Sequence, residues 1–193
     1  MSITTCLPTE PININGDFAV AEDDVILVDE HDQFIGFAPK LNAHQNGGKL
    51  HRAFSVFIFD AAGKMLIQQR ALGKYHFGGR WTNACCSHPR RDESPLQAAQ
   101  RRLQEEFGFT TDLKELFSFI YRAVDNSSGL TEHEYDHVFA GKFDGEPAAN
   151  PAEIAAWKWI DVTELEVDVR KNPQHYTPWF QQIIGKVLQC VLP

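Results

Sequence analysis

Ser87 to Phe109 reads SHPRRDESPLQAAQRRLQEEFGF, and the periodicity of this stretch decides how the rest of the chain is arranged. Ser94 followed by Pro95 supplies an N-cap and then a proline at the first helical position, where its missing N–H costs nothing. Leu96, Ala99, Leu103 and Phe107 recur at helical spacing, and Gly108 ends the run. An amphipathic helix from near Ser94 is therefore expected, with Glu93, Arg101, Arg102, Glu105 and Glu106 distributed along or beside it.

Working outward, the flanks read mainly as strands. Upstream, Asp24 to Asp29 and Gln33 to Phe37 are two short strands around the polar turn His31-Asp32. Ala43 to Lys49 is expected to be a loop, because Asn46-Gly47-Gly48 breaks any helix. Ala53 to Phe59 is a buried strand, Ala61-Ala62-Gly63 a turn and Lys64 to Gln69 its hairpin partner, while Leu72 to Asn83 reads as irregular. Downstream, Phe117 to Val124 and Glu132 to Phe143 are strands joined by the turn Asp125 to Gly129, followed by a strand from Ala156 to Ile160. Thr177-Pro178 opens a last amphipathic helix to about Leu192. The result is a mixed α/β fold. A loose arm over residues 1–20 and a single domain over 21–193 are expected.

Bulk properties narrow the function. A chain of 193 residues, 43% of them hydrophobic, is long enough to bury a full core without disulfides. Met1 to Val20 has neither a basic start nor an apolar run, so secretion and membrane insertion are not supported, and a reduced cytoplasmic protein is expected. The net charge of −8 argues against nucleic acid as a partner. Between residues 70 and 102, however, seven basic residues face only Asp92 and Glu93, a balance suited to a small anionic ligand.

The opening stretch resembles the Nudix box, with Glu93, Arg101, Leu103, Glu105, Glu106, Gly108 and Phe109 in the box positions. Two positions depart from that pattern: Ser87 stands for the opening glycine, and Arg102 stands where hydrolases of the family carry a glutamate. A guanidinium repels metal and offers a fork to phosphate oxygens, so the site is expected to hold a diphosphate without cutting it. Immediately upstream, Trp81 to Pro89 reads WTNACCSHP, and downstream Thr131 to Asp136 reads TEHEYD. With the altered box, these resemble the two active-site motifs of type I isopentenyl-diphosphate isomerases, a likeness running from about Lys40 to Trp179.

The resemblance implies a Nudix-type fold, with a mixed β-sheet sandwiched between α-helices, and the interconversion of isopentenyl and dimethylallyl diphosphate through a tertiary carbocation. Cys86 is the implied thiol acid/base, and Cys85, its neighbour on an extended segment, points the other way. Glu134 is the second acid/base group, assisted by Tyr121. Glu132 and Glu134, two apart on a strand, share one face and can converge on one metal. Alignment with the family adds His44, His51 and His88, a five-ligand set suited to Mn²⁺, Mg²⁺ or Zn²⁺. Lys40, Arg70, Lys74 and Arg102 are the implied diphosphate anchors, with a Mg²⁺ bridged by Glu106. Trp179 is the aromatic implied to face the carbocation, and Trp81 is expected to wall the pocket. His31, His76, His133, His137 and His175 receive an ordinary structural reading. The expected order is protonation of the alkene from Glu134, then removal of a C2 proton by Cys86. The implied partner is a small prenyl diphosphate, with neither nucleic acid nor membrane; a monomer is expected and a dimer left open. The rival readings are a Nudix diphosphohydrolase and a non-catalytic diphosphate-binding Nudix domain.

Overall fold

The computed structural model describes residues 24–74 and 76–191, so the expected arm over 1–20 lies outside the described residues. The strands are β1 (Asp24–Val28), β2 (Phe34–Pro39), β3 (His51–Phe59), β4 (Met65–Arg70), β5 (Trp81–Thr82), β6 (Cys85–Ser87), β7 (Leu113–Val124), β8 (Thr131–Lys142) and β9 (Ile154–Ile160). The helices are α1 (Lys40–His44), α2 (Pro95–Phe107), α3 (Val162–Lys171) and α4 (Pro178–Val191). All these strands belong to one mixed sheet, with β3 as its hub. β3 runs parallel to β8 and antiparallel to β1, β4 and β6.

The hub strand is buried on both faces because its side chains alternate between two cores. Phe54, Val56 and Ile58 meet Ala98, Ala99, Leu103 and Phe107 of α2. Phe57 and, beyond it, Phe59 meet Phe180, Ile183, Ile184 and Val187 of α4, with Leu165 and Val169 of α3 closing the same layer. The sheet is thus sandwiched between helices, as expected. Each fully buried Leu or Phe contributes on the order of 1.5–3 kcal/mol.

α2 begins and ends where the sequence indicates. Ser94 and Gln97 form a reciprocal capping box, and Gly108 adopts φ 72° at the C-cap. A Cβ at Gly108 would also come within 2.9 Å of that of Ala148, so this turn excludes side chains twice over.

Other local structure departs from the sequence reading. Residues expected as loop from Ala43 onward belong partly to α1, a single turn that Asn46-Gly47-Gly48 then ends. One turn is too short to show a helical repeat. α3 was not anticipated: only Leu165 and Val169 are buried along it, although Asp161 caps it by accepting from Thr163 N and Glu164 N. The irregular stretch after Leu72 contains β5, paired with β4.

Candidate active site

Strand register builds the site. His51 on β3 lies opposite Glu134 on β8, Tyr121 on β7 lies opposite the same Glu134, and Ser55 on β3 lies opposite Cys86 on β6. Directly paired residues present side chains to the same face. Glu132, Glu134 and Asp136 therefore form one row beside His51 and Ser55, at the end of the layer covered by α4. Cys85 faces the opposite core, where its thiol meets Glu106, while Cys86 turns towards the site. α1 delivers His44, and His88 follows directly after β6.

His44, His51, His88, Glu132 and Glu134 bring one ligand atom each within 4.8 Å of one another. The tautomers follow from the partners. His44 Nδ1 lies 2.7 Å from the carbonyl of Lys40 and His51 Nδ1 lies 2.8 Å from that of Lys49. A carbonyl only accepts, so each Nδ1 carries the proton and a neutral ring turns its Nε2 lone pair inward. That lone pair of His44 meets Glu132 Oε2 at 2.9 Å, and His51 Nε2 meets His88 Nε2 at 3.1 Å. The Nε2 lone pairs of neutral His44 and His51 facing carboxylate oxygens repel them unless a cation lies between. The donor set fits a divalent ion for that reason, with backbone carbonyls orienting two of its imidazoles.

Electrostatics prepares the same ligands. Burial lowers the pKa of His88 to about 3, leaving a neutral imidazole. Burial opposes the charge on Glu132, yet with protons in place of an ion on the imidazole Nε2 atoms its bonds to His44 and His76 hold it well below the ordinary carboxylate range. For Glu134, burial and the charge of Glu132 push upward, but with protons in place of an ion on the imidazole Nε2 atoms the bonds from His51 and His88 outweigh them and hold it at about 2. Its Oε1 faces His88 at 2.8 Å, whereas Oε2 accepts from the Tyr121 hydroxyl at 2.5 Å. Burial, reinforced by the Glu134 charge, raises Tyr121 well above its usual value, so the phenol remains a donor.

Cys86 lines the same cavity as Glu132, Glu134, Tyr121 and Trp179. Its thiol donates to Asn83 Oδ1 at 3.1 Å, and Trp179 Nε1 donates to its sulfur at 3.2 Å. Burial, and next the charge of Asp136, push this thiol up to about 12. Asp136 is itself raised well above its usual value by burial and by Glu134, and its Oδ2 meets the Ser55 hydroxyl at 2.8 Å.

The cationic residues Lys40, Arg70, Lys74 and Arg102 line the cavity beside the acid/base groups. Arg102 bonds Glu106 at 2.6 Å and Glu153 at 3.2 Å, and Lys74 also pairs with Glu153. Glu106 is not brought into the imidazole cluster: its oxygens take Arg102, Cys85 and Gln68. Arg70 lies over the Trp179 ring, 5.5 Å from its centroid.

Two sequence expectations are corrected here. His76, read as an ordinary histidine, is 7% exposed, lines the cavity and pairs through Nε2 with Glu132 Oε1. No helical or strand period marks it, since it lies on the irregular link between β4 and β5. Trp81, expected to wall the pocket, is not among the cavity residues and instead has the Lys158 ammonium 4.8 Å from its ring centroid. Glu153 and Asn83 were also missed. Asn83 sits inside the quoted WTNACCSHP motif, and its buried amide could have been inferred as a partner for the adjacent thiol.

Comparison with known proteins gives the family and the fold. The NUDIX domain family matches residues 49–180, and the chain belongs to that family. Among solved structures, DR0079 from Deinococcus radiodurans has TM-score 0.71 at 17% identity, covering 87% of this chain and 99% of that one. The MutT protein from Methanosarcina mazei Go1 has TM-score 0.60 at 14% identity, covering 72% and 94%. These two likenesses concern the fold. Sequence relatives place the chain more narrowly, among the isopentenyl-diphosphate Delta-isomerases. It is 55% identical over 169 residues to isopentenyl-diphosphate Delta-isomerase 2 of Aromatoleum aromaticum, covering 88% of each chain. It is 51% identical over 160 residues to the isopentenyl-diphosphate Delta-isomerase of Serratia proteamaculans, covering 83% of this chain and 88% of that one.

Proposed function

We propose that this chain interconverts isopentenyl and dimethylallyl diphosphate, with Cys86 and Glu134 as the acid/base pair. The observation that carries this reading is a single cavity lined by a half-buried thiol, a buried carboxylate and four basic residues. Arg70 Nε and Arg102 Nε are buried and make no hydrogen bond among the described residues, donors that diphosphate oxygens would satisfy. Lys40 and Lys74 complete the anchor.

The chemistry moves one proton on and one off. In the isopentenyl direction, a proton passes from Glu134 to the terminal alkene carbon, and Cys86 takes a proton from C2 as the new double bond forms. In the dimethylallyl direction, the thiol returns a proton to C2 and the Glu134 carboxylate takes one from a methyl group. The described protonation, thiol on Cys86 and carboxylate on Glu134, suits the second direction. One turnover leaves the pair ready for the first. Tyr121 holds Glu134 Oε2, and Trp179 presents its ring to the cationic carbon while its N–H bonds the Cys86 sulfur. An indole face contributes about 0.5–2 kcal/mol to a desolvated cation.

His44, His51, His88, Glu132 and Glu134 would hold Mn²⁺, Mg²⁺ or Zn²⁺, which supplies positive charge that orients Glu134 and tunes its proton affinity. Glu106 would meet a Mg²⁺ entering with the diphosphate, exchanging its bond to Arg102. The domain spans 21–193 and acts as a cytoplasmic monomer on a small prenyl diphosphate. Among the described residues, no helix is long and apolar enough to cross a membrane.

Incubation of the purified protein with isopentenyl diphosphate in D₂O, followed by NMR, tests the reading. Dimethylallyl diphosphate carrying deuterium is expected, with no phosphate released. Release of inorganic phosphate or a prenyl monophosphate would establish the diphosphohydrolase instead, and binding without turnover the silent diphosphate-binding domain.

A further inference from the structure

Glu132 meets two imidazoles, one at each carboxylate oxygen, and only His44 belongs to the five-residue ligand cluster. His44 spends its Nδ1 proton on the Lys40 carbonyl and turns Nε2 towards Glu132 Oε2, as a ligand would. His76 contacts the other oxygen, Oε1, through its own Nε2. A carboxylate only accepts, so His76 Nε2 must carry a proton there. One oxygen of Glu132 is thereby left facing the cluster while the other is clamped from outside it.

The loop carrying His76 is built to hold it in place. Phe77 takes a left-handed φ of 49°, a conformation that non-glycine residues rarely adopt and that surrounding contacts must enforce. Those contacts are present. Phe77 N donates to Asp125 Oδ2 at 3.2 Å, and its ring packs edge-on against Trp179 with centroids 5.5 Å apart. Asp125 is fixed in turn by Ser127 and Ser128. On the other side, an Arg70 guanidinium N–H reaches the His76 carbonyl at 3.2 Å. The same turn therefore ties His76, the Trp179 wall and a cavity arginine to one another.

We propose that His76 is a positioning residue for the metal centre: by donating to Glu132 Oε1 it fixes the carboxylate so that Oε2 is presented to the ion beside His44. The proposal rests on the reading that this cluster binds a divalent metal. His76 touches the ligand and does not replace one, so it sets how tightly the ion is held. Outer partners of this kind typically govern about 10–100-fold in metal affinity.

Metal affinity, measured on the full chain by competition with a chromophoric chelator using Mn²⁺, Zn²⁺ and Co²⁺ separately, tests this without reference to turnover. Wild type is expected to bind one ion tightly. His76→Ala should weaken binding about 10–100-fold, with kcat recovering at saturating metal. His76→Gln, whose amide N–H can reach the same oxygen, should regain most of the loss. In the cobalt-loaded protein the visible spectrum should keep its shape in both variants, because the ligands themselves are unchanged. Unaltered affinity in a folded His76→Ala would overturn the proposal, as would a cobalt spectrum showing loss of a nitrogen ligand, which would make His76 a ligand. If the alanine variant fails to fold by circular dichroism, the glutamine variant decides: affinity near wild type supports the clamp, and a folded but weak binder refutes it. Absence of stoichiometric metal in wild type would instead remove the metal reading on which the proposal rests.

Discussion

Among the described residues, the carboxylates along α2 and those on β8 are neutralised in different ways. On α2 and its approach, Glu93 receives Arg101 at 2.6 and 2.7 Å, Glu105 receives both Arg101 and Arg102, and Glu106 receives Arg102. Every one of these acids has a guanidinium, a charge that cannot be given up near neutral pH. On β8, Glu132 and Glu134 meet imidazoles and a phenol. Imidazole can offer a lone pair in place of a proton, so this group can exchange protons for a metal ion. The helix that carries the family's motif is braced by its own ion pairs and turns Arg102 to the cavity, and the strand carries the carboxylates of the imidazole cluster.

That contrast can be broken by experiment. The largest effects should fall on the strand side: Cys86→Ala and Glu134→Gln are each expected to lower kcat by about 10²–10⁴-fold while leaving the fold intact. Retained activity in either would dissolve the assigned pair.

Next in size is thiol reactivity. Burial and Asp136 disfavour the thiolate, so the Cys86 pKa rises to about 12 and its thiolate fraction at any lower pH falls. In metal-free protein, iodoacetamide should modify Cys86 at least about 100-fold more slowly at pH 8 than a model thiol of pKa about 8.5, with the rate still climbing at pH 10. Peptide mass spectrometry resolves Cys86 from exposed Cys190. A plateau near pH 9 would mean that the strand-side site stabilises charge after all.

On the helix side the expected loss is of stability. Glu93→Gln should cost about 1–3 kcal/mol through its bidentate bond to Arg101, lowering Tm by several degrees with metal content unchanged. Smallest of all, Glu105→Gln, at the most exposed of these pairs, should change stability by less than about 0.5 kcal/mol and leave bound metal unaltered. Loss of metal in either helix variant would show that α2 holds the ion and would reverse the comparison.

Much of this was legible from residue order. The apolar spacing of Leu96 to Phe107, its cap at Ser94 and its stop at Gly108 defined α2 to within a residue. Strand alternation put Glu132 with Glu134 and separated Cys86 from Cys85, and the structure brings the five nominated ligands together. The misses share a cause. His76, Trp81 and Glu153 lie in turns or short strands where no period operates, so their partners are set by distant segments. α1 and α3 are short helices with few buried positions, and a spacing argument needs several.

Residue order by itself determined which side chains are available and on which face of a helix or strand each stands, because those periods are local properties of the backbone. Only the tertiary structure decided what each charge meets. Pairing of β3 with β8 sets His51 against Glu134, and the turn at Phe77 brings His76 to Glu132. The reason is physical: the protonation and ligating power of a buried group depend on neighbours within a few ångströms, and here those neighbours come from chain segments tens of residues away.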